Sequence, residues 1–302
     1  MPSKPTPATK LHTFSWDGIS FSVPDEWEMS SYETNTTRSH VEMDDGSVRR
    51  LVAEWTRLPP RFNALRIQQR YAKAGRAFKK QALISKELSE LPKGWFATLY
   101  VMADGNHLLA ASCLATEQRR FFSFLIYFYK EEIHNTSGTK ETELLRSIAD
   151  SLKIHDSPIV PWETFDFAFR LSSDFKLAET IFLSGRKQMV FEWRSRRLYV
   201  FLISLADMAL SGRPLNVFAA EFLNGIAGLR GPKFIPSEDG GVAYQRRAIW
   251  ALGHADQIFR VCFRYKIGVQ HFPERNQIFL WGFHYRRSDD LKKLEGLAIK
   301  DR

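Results

Sequence analysis

The pattern of hydrophobic and polar residues along this chain occurs twice. Near the start of each half, apolar and polar residues alternate, and that two-residue period is typical of a strand with one buried face. A glycine turn then leads into a strand that ends in Glu-Trp, which predicts that Trp55 and Trp193 are equivalent. The two pairs of matching segments are 19–29 with 167–177, and 46–55 with 185–193.

Helical spacing of apolar residues follows in both halves. One run begins at Asn63 and the other at Asn216, and an asparagine at a helix start caps the free N–H groups of the first turn. Each half continues with strands joined by short turns and closes with an amphipathic helix. The predicted turns are Asp104-Gly105-Asn106 and Gly253-His254, and the predicted closing helices are 141–154 and 289–299.

This order of elements predicts an α+β fold. We expect two similar α/β/α sandwich domains in tandem, each a mainly antiparallel sheet with two principal helices, because short turns join antiparallel strands and amphipathic helices need a sheet face. The proline-containing segment 155–162 is the expected linker. The predicted boundaries are a disordered tail at 1–10, a first domain at 11–156 and a second domain at 157–302.

These segments resemble the PsbP-like superfamily. The resemblance rests on the strand with "VPDEW", the glycine turn before a third strand, the long helix and the strand "LPKGWFATLYVM". That group includes Ran-binding import factors, an extrinsic photosystem subunit and chaperones of type VI secretion effectors. The resemblance implies a non-enzymatic adaptor, assembly factor or chaperone with no cofactor. The second half departs from the pattern, with "SSDF" where the first half has "PDEW".

Composition favours a globular protein of a reducing compartment. The chain has 302 residues, of which 44% are hydrophobic, and its two cysteines, Cys113 and Cys262, lack the spacing of a zinc or disulfide motif. No apolar run approaches the length of about 20 residues that a membrane span requires. We therefore expect a cytoplasmic protein without a membrane span.

Positive charge is concentrated in the second half. The net charge is +9, with a balance of +2 over residues 1–150 and +7 over 151–302. Such asymmetry can attract acidic partners, but ordinary solubility is the explanation that the composition favours.

Known catalytic and metal-binding motifs are missing from the sequence. It contains no phosphate-binding glycine loop, no G-x-S-x-G and no histidine pair at metal-ligand spacing. The acidic residues Glu42, Asp44 and Asp45 precede Gly46 and predict a solvated hairpin tip, and His107 is expected to be solvated at a turn. We expect neither a metal nor catalysis.

The basic segment "WRSRRLY" at 193–199 is the candidate binding site. On a continuous strand, Arg194 and Arg196 would share one face, while Trp193 and Arg197 would share the other. Arginines beside aromatic rings suit phosphate or carboxylate recognition, but the pattern favours the alternative of a solvated strand face whose charges block aggregation. Further arginines on nearby predicted strands would extend the patch: Arg246, Arg247, Arg260 and Arg264.

Three hypotheses for function follow from the sequence. The first is a non-catalytic protein-binding adaptor, assembly factor or chaperone, built as an intramolecular pseudo-dimer and acting as subunit or client of a larger assembly. The second is a nucleic-acid-associated or polyanion-binding protein that uses the basic strand. The third is an enzyme with a composite site, for which the sequence offers no support.

Overall fold

A computed structural model describes most of the chain and shows two compact units. The described residues are 10–35, 37–89, 91–133, 139–164, 167–229, 232–246 and 263–297. Unit 1 comprises Met1–Asp156 with Pro161–Ala168, and unit 2 comprises Ser157–Val160 with Phe169–Arg302. The predicted tail lies outside the described residues except for Lys10, and the predicted turn Gly253-His254 and Cys262 also lie outside them.

Among the described residues before 157, unit 1 contains ten strands and two α-helices. In chain order they are β1(Leu11–Trp16), β2(Ile19–Pro24), β3(Glu28–Thr34), β4(Arg38–Asp44), β5(Arg49–Arg57), α1(Ala64–Gln81), β6(Ala82–Leu88), β7(Trp95–Met102), β8(His107–Ala115), β9(Arg120–Phe128), α2(Thr139–Ser151) and β10(Lys153–Ile154). Two further strands, β11(Ile159–Glu163) and β12(Ala168–Ser172), follow where the chain passes from unit 1 to unit 2.

Seven of these strands form an antiparallel sheet in the order β3-β4-β5-β9-β8-β7-β6. One face is apolar and is covered by the hairpin β1–β2, where the ring centroids of Phe21 and Phe124 lie 5.5 Å apart. The other face receives α1, whose Phe78 lies 5.9 Å from the Tyr100 ring. The Asn63 side chain accepts a hydrogen bond from the Arg66 N–H, so the predicted cap of α1 is confirmed.

Unit 2 is built around a second antiparallel sheet. Its elements are β13(Lys176–Leu183), β14(Arg186–Trp193), β15(Arg196–Ser204), α3(Ala206–Leu210), α4(Leu215–Gly225), β16(Pro232–Pro236), β17(Val242–Arg246), β18(Arg264–Phe272) and β19(Gln277–Tyr285). The sheet runs β13-β14-β15-β19-β18, and β16 pairs with β17. Helix α4 packs Phe218 and Leu223 against Phe201 and Leu280 in one core cluster. The described chain is therefore mainly antiparallel sheet with a few helices, the predicted α+β class.

The strand order corrects the predicted match of Trp55 with Trp193. In unit 1 the order β3-β4-β5-β9-β8 places Trp55 on the third strand, whereas in unit 2 the order β13-β14-β15-β19-β18 places Trp193 on the second. The first five strands of the seven-stranded sheet follow the same chain order as the five described strands of the unit 2 sheet, but the two Glu-Trp strands occupy different places in that order.

Two helix predictions in unit 2 also need correction. Helix α4 begins after Pro214, so Asn216 lies inside its first turn, and the Asn216 amide donates to the Ser237 carbonyl at 3.2 Å. The closing segment forms a 3-10 helix at Ser288–Leu294, which ends before the predicted limit of residue 299, and Gly296 beyond it has a φ of 93°. In unit 1 the closing helix is confirmed, although it ends at Ser151 and β10 follows.

The contact between Gly268 and Trp281 yields a stability prediction. Gly268 of β18 lies opposite Trp281 of β19, and a Cβ added at Gly268 would lie 2.3 Å from Trp281 Cε2. We expect Gly268→Ala to lower the free energy of unfolding by about 1 to 3 kcal/mol, because the indole must move out of its packed position. Urea denaturation measures this. The matched control is Gly225→Ala, whose added Cβ meets nothing within 4 Å, and equal losses in both variants would contradict the explanation.

Candidate anion-binding surface

The basic segment around Trp193 folds as a tight β-hairpin. β14 ends at Trp193, Arg194 and Ser195 form the turn, and β15 begins at Arg196, which pairs with Trp193 across the hairpin. Arg194 has a φ of 55°, the left-handed conformation that two-residue hairpin turns use. The prediction that Arg194 and Arg196 share one face of a continuous strand is therefore wrong, because the turn reverses the chain between them.

Arg196 is held in a largely shielded ion pair, in which its side chain is 12% exposed and that of Asp290 is 7% exposed. Its Nε donates to Asp290 Oδ2 at 2.9 Å and its Nη2 donates to Asp290 Oδ1 at 3.1 Å, a two-pronged contact. Asp290 Oδ2 also accepts the backbone N–H groups of Arg286 and Arg287, each at 3.0 Å. Burial on its own would raise the pKa of Asp290, but these donors outweigh it and lower the pKa to about 2. Arg196 ties β15 to the closing segment and is not a free cation.

Arg197 is also paired, on the opposite face of the sheet from Arg196. It lies directly across from Glu192, and its Nε donates to Glu192 Oε1 at 2.6 Å. Both side chains are partly exposed, so this pair contributes little stability. The solvated-face alternative describes Arg197 better than a ligand-binding role does.

Trp193 is surrounded by cations. The Arg194 and Arg196 guanidinium carbons lie 5.5 and 5.1 Å from its ring centroid, and Lys293 Nζ lies 5.5 Å away. Lys293 is in turn paired with Asp174 at 2.5 Å. These distances are those of cation–π contacts, and two of the three cations are neutralised by carboxylates.

Four exposed arginines lie at this end of the unit 2 sheet. Arg264 begins β18 opposite Tyr285, the last residue of β19; Arg286 and Arg287 follow Tyr285 directly, and Arg194 occupies the adjacent hairpin turn. Within the described part of the chain none of the four forms an ion pair. We call Arg194, Arg264, Arg286 and Arg287 the arginine rim. Of the other predicted members, Arg246 ends β17, while Arg247 and Arg260 lie outside the described residues.

Helix α1 of unit 1 presents a second cationic surface, which the sequence analysis missed. The helix contains six basic residues and no acidic one: Arg66, Arg70, Lys73, Arg76, Lys79 and Lys80. At 3.6 residues per turn these positions occupy the half of the helix opposite Tyr71 and Phe78, which face the sheet. We call Arg66, Lys73, Arg76, Lys79 and Lys80, all exposed, the α1 basic face. The signal in the sequence was a run of basic residues at helical spacing without acidic ones.

The structure also contains a serine beside a histidine. Ser20 Oγ lies 2.7 Å from His155 Nε2 and 2.7 Å from Ser15 Oγ. Ser20 is only 4% exposed, and its hydroxyl joins β2 to β1 and to the residue after β10. This geometry ties strands together and does not present a nucleophile to a substrate.

Three further titratable side chains of unit 1, His107, Cys113 and Asp45, lie in structural environments. His107 is buried, not solvated as predicted, and its Nδ1 lies 2.6 Å from Glu141 Oε1. Burial raises the pKa of the Cys113 thiol to about 11, which keeps it protonated and unreactive. Asp45 accepts from the Arg50 guanidinium at 2.6 Å and from the Val48 N–H at the predicted hairpin tip. No group of three His, Cys, Asp or Glu side chains in the described ranges is arranged to hold a metal ion.

Known structures share a limited likeness with this chain. The Ran-binding protein Mog1p of Saccharomyces cerevisiae is 12% identical with a TM-score of 0.32, over 49% of this chain and 96% of its own. Cyanobacterial PsbP (CyanoP) from Synechocystis sp. PCC 6803 is 14% identical with a TM-score of 0.34, over 51% of this chain and 99% of its own. A point mutant of Mog1 is 13% identical with a TM-score of 0.31, over 49% and 97%. These are two of the kinds of protein that the sequence resembles.

No protein-family model and no curated protein matches the chain. Among the described helices, none is both long and apolar enough to cross a bilayer.

Proposed function

We propose that this chain is a non-catalytic binding protein that docks onto an acidic surface of a partner protein, as an adaptor, assembly factor or chaperone. The α1 basic face carries the proposal. It presents five exposed cations on one helix, and no acidic residue of that helix opposes them. Charges that lack a counter-charge on their own protein accelerate encounter with an acidic partner and orient the complex.

Exposed aliphatic side chains near α1 favour a protein over nucleic acid as the partner. Leu65 is 62% exposed and lies in the same half of the helix as the α1 basic face. Leu83 and Ile84, which follow the helix on β6, are 72% and 60% exposed. β6 is also an edge strand of the seven-stranded sheet. Apolar groups beside charges are typical of a protein interface, in which aliphatic surface is buried and charges set the orientation.

The proposal includes the tandem arrangement of two PsbP-like domains, as an intramolecular pseudo-dimer in the cytoplasm. The shared strand order of the two units supports a duplication. The duplication leaves the two cationic surfaces on different units, so each can be altered without the other.

A charge-reversal experiment tests this function. In Lys73→Glu/Arg76→Glu/Lys80→Glu the α1 basic face becomes acidic. We expect this variant to lose at least about tenfold in affinity for an acidic protein captured from nuclease-treated native lysate. The reason is that exposed charges at an interface control association with an oppositely charged partner. Isothermal titration with the purified captured protein measures the loss.

The matched control reverses three charges of the arginine rim, in Arg194→Glu/Arg264→Glu/Arg286→Glu. The net change in charge is the same, so an effect of net charge alone would lower the affinity of both variants equally. If α1 forms the contact, the arginine rim variant should keep its affinity. Equal losses in both variants, or capture that disappears with nuclease treatment, would contradict the proposal.

The arginine rim supports a second candidate function, binding of nucleic acid or another polyanion. Guanidinium groups form two-pronged contacts with phosphates, and four of them project at one end of the sheet without counter-charges in the described residues. This candidate requires affinity for single-stranded RNA that falls steeply with salt and is lost in the arginine rim variant. RNA binding that is unchanged by that variant would eliminate it.

A further inference from the structure

A groove in unit 2 combines an arginine with aromatic walls. It has a volume of about 340 Å³ and lies between α4 and the first residue of β14. Arg186, Arg213, Phe218, Glu221 and Phe222 line it. That volume falls at the lower end of the range in which proteins bind small molecules. None of its lining residues belongs to the arginine rim or to α1.

One of the two arginines in the groove already donates three hydrogen bonds to acceptors of its own protein. Arg213 Nε donates to the Leu210 carbonyl at 3.0 Å, and its Nη2 donates to the Ala209 carbonyl at 2.8 Å. Its Nη1 donates to Glu221 Oε2 at 2.6 Å. The Arg213–Glu221 pair is electrically neutral as a unit, so it leaves the charge of the groove to Arg186.

Arg186 differs from Arg213 in having no such acceptor. Its Nε is buried and has no hydrogen-bond partner among the described residues. Its guanidinium carbon lies 6.0 Å from the centroid of the Phe222 ring. The backbone of Arg186 is held rigidly, because it pairs with Leu183 and with Ile203 on the two neighbouring strands. A guanidinium beside an aromatic ring, on a strand paired at both edges, has restricted freedom before any ligand arrives.

The aromatic wall of the groove is held in place by packing against the core of unit 2. The Phe222 ring centroid lies 5.9 Å from that of Phe218 and 5.1 Å from that of Phe201, which is fully buried in the core. The groove therefore combines one uncompensated positive charge with an apolar surface of fixed shape.

We propose that this groove binds a small organic carboxylate that carries an aromatic or aliphatic body. The carboxylate pairs with the Arg186 guanidinium, and the body packs against Phe218 and Phe222. A single negative charge matches the single uncompensated cation. A phosphate dianion would need more donors than Arg186 supplies, because Arg213 is already engaged.

The test uses phenylacetate as the probe and phenylacetamide as its neutral counterpart. Ligand-observed NMR titration of the full chain should show phenylacetate binding at least about tenfold more tightly than phenylacetamide, as expected when a charged pair is lost. Arg186→Gln should remove this preference. Arg194→Gln, on the arginine rim, should preserve it. Circular dichroism establishes that both variants are folded.

A second arm separates a free ligand from a peptide. A tetrapeptide ending in phenylalanine presents the same carboxylate and ring at its C-terminus. Tighter binding of phenylacetate than of this peptide supports a free small molecule as the ligand. Equal binding of phenylacetate and phenylacetamide, unchanged binding by the Arg186→Gln variant, tighter binding of the peptide, or no binding of either carboxylate would overturn the proposal. These results are independent of the α1 charge-reversal experiment.

Discussion

Glu141→Ala is expected to lower the free energy of unfolding by about 3 to 5 kcal/mol, since it leaves one member of a buried pair without its partner. His107 and Glu141 are 2% and 3% exposed, and Nδ1 lies 2.6 Å from Oε1. The pair connects β8 to the first turn of α2, so its loss also loosens the helix that follows. Urea denaturation followed by circular dichroism gives the free energy.

Glu143→Ala is the matched control, because Glu143 is exposed on the same helix. It should change the stability by less than about 0.5 kcal/mol. Glu141→Gln, which keeps a hydrogen-bond acceptor, should lose less than Glu141→Ala. If Glu141→Ala and Glu143→Ala unfold at the same urea concentration, the pair does not stabilise unit 1.

Asp290→Ala is expected to lower the free energy of unfolding by up to about 3 kcal/mol, because the largely shielded Arg196 guanidinium would lose its carboxylate partner. Asp290 also accepts two backbone N–H groups, so the 3-10 helix at Ser288–Leu294 would lose its N-terminal support. Asp289→Ala is the control, since Asp289 is exposed and forms a solvent-exposed ion pair with Lys292. Equal losses of stability in the two variants would contradict this role for Asp290.

The same carboxylate predicts a dependence on pH. The folded state lowers the pKa of Asp290 from 3.8 to about 2. A lowered pKa means that the stabilisation is complete above the unfolded value and is lost as the pH falls from about 4 towards 2. The native protein should therefore lose more stability over this interval than Asp290→Ala does. Parallel acid denaturation curves for the two proteins would show that Asp290 makes no such contribution.

The sequence pattern predicted correctly those helices and turns whose capping and turn residues lie within the same short segment. Helix α1 begins at the predicted cap because Asn63 and the apolar positions of the helix all act within one segment. The hairpin at Asp104-Gly105-Asn106 has Gly105 at a φ of 85°, a conformation that glycine adopts without strain.

The basic hairpin was missed because its turn lacks the usual residues. Arg194 and Ser195 are not among the asparagine and glycine pairs that signal a two-residue turn, yet Arg194 adopts a positive φ. The partners of the charged residues were equally hidden, since 94 residues separate Arg196 from Asp290 and 34 separate His107 from Glu141. Strand pairing and helix docking bring these groups together, and neither leaves a local pattern.

Chemical modification of lysines in the complex tests the central claim most directly. With the captured acidic partner bound, acetylation of Lys73, Lys79 and Lys80 should be suppressed, while Lys93, an exposed lysine of the same unit, should react at its rate in the free protein. Unchanged acetylation of all three α1 lysines in the saturated complex would show that the partner does not bind there.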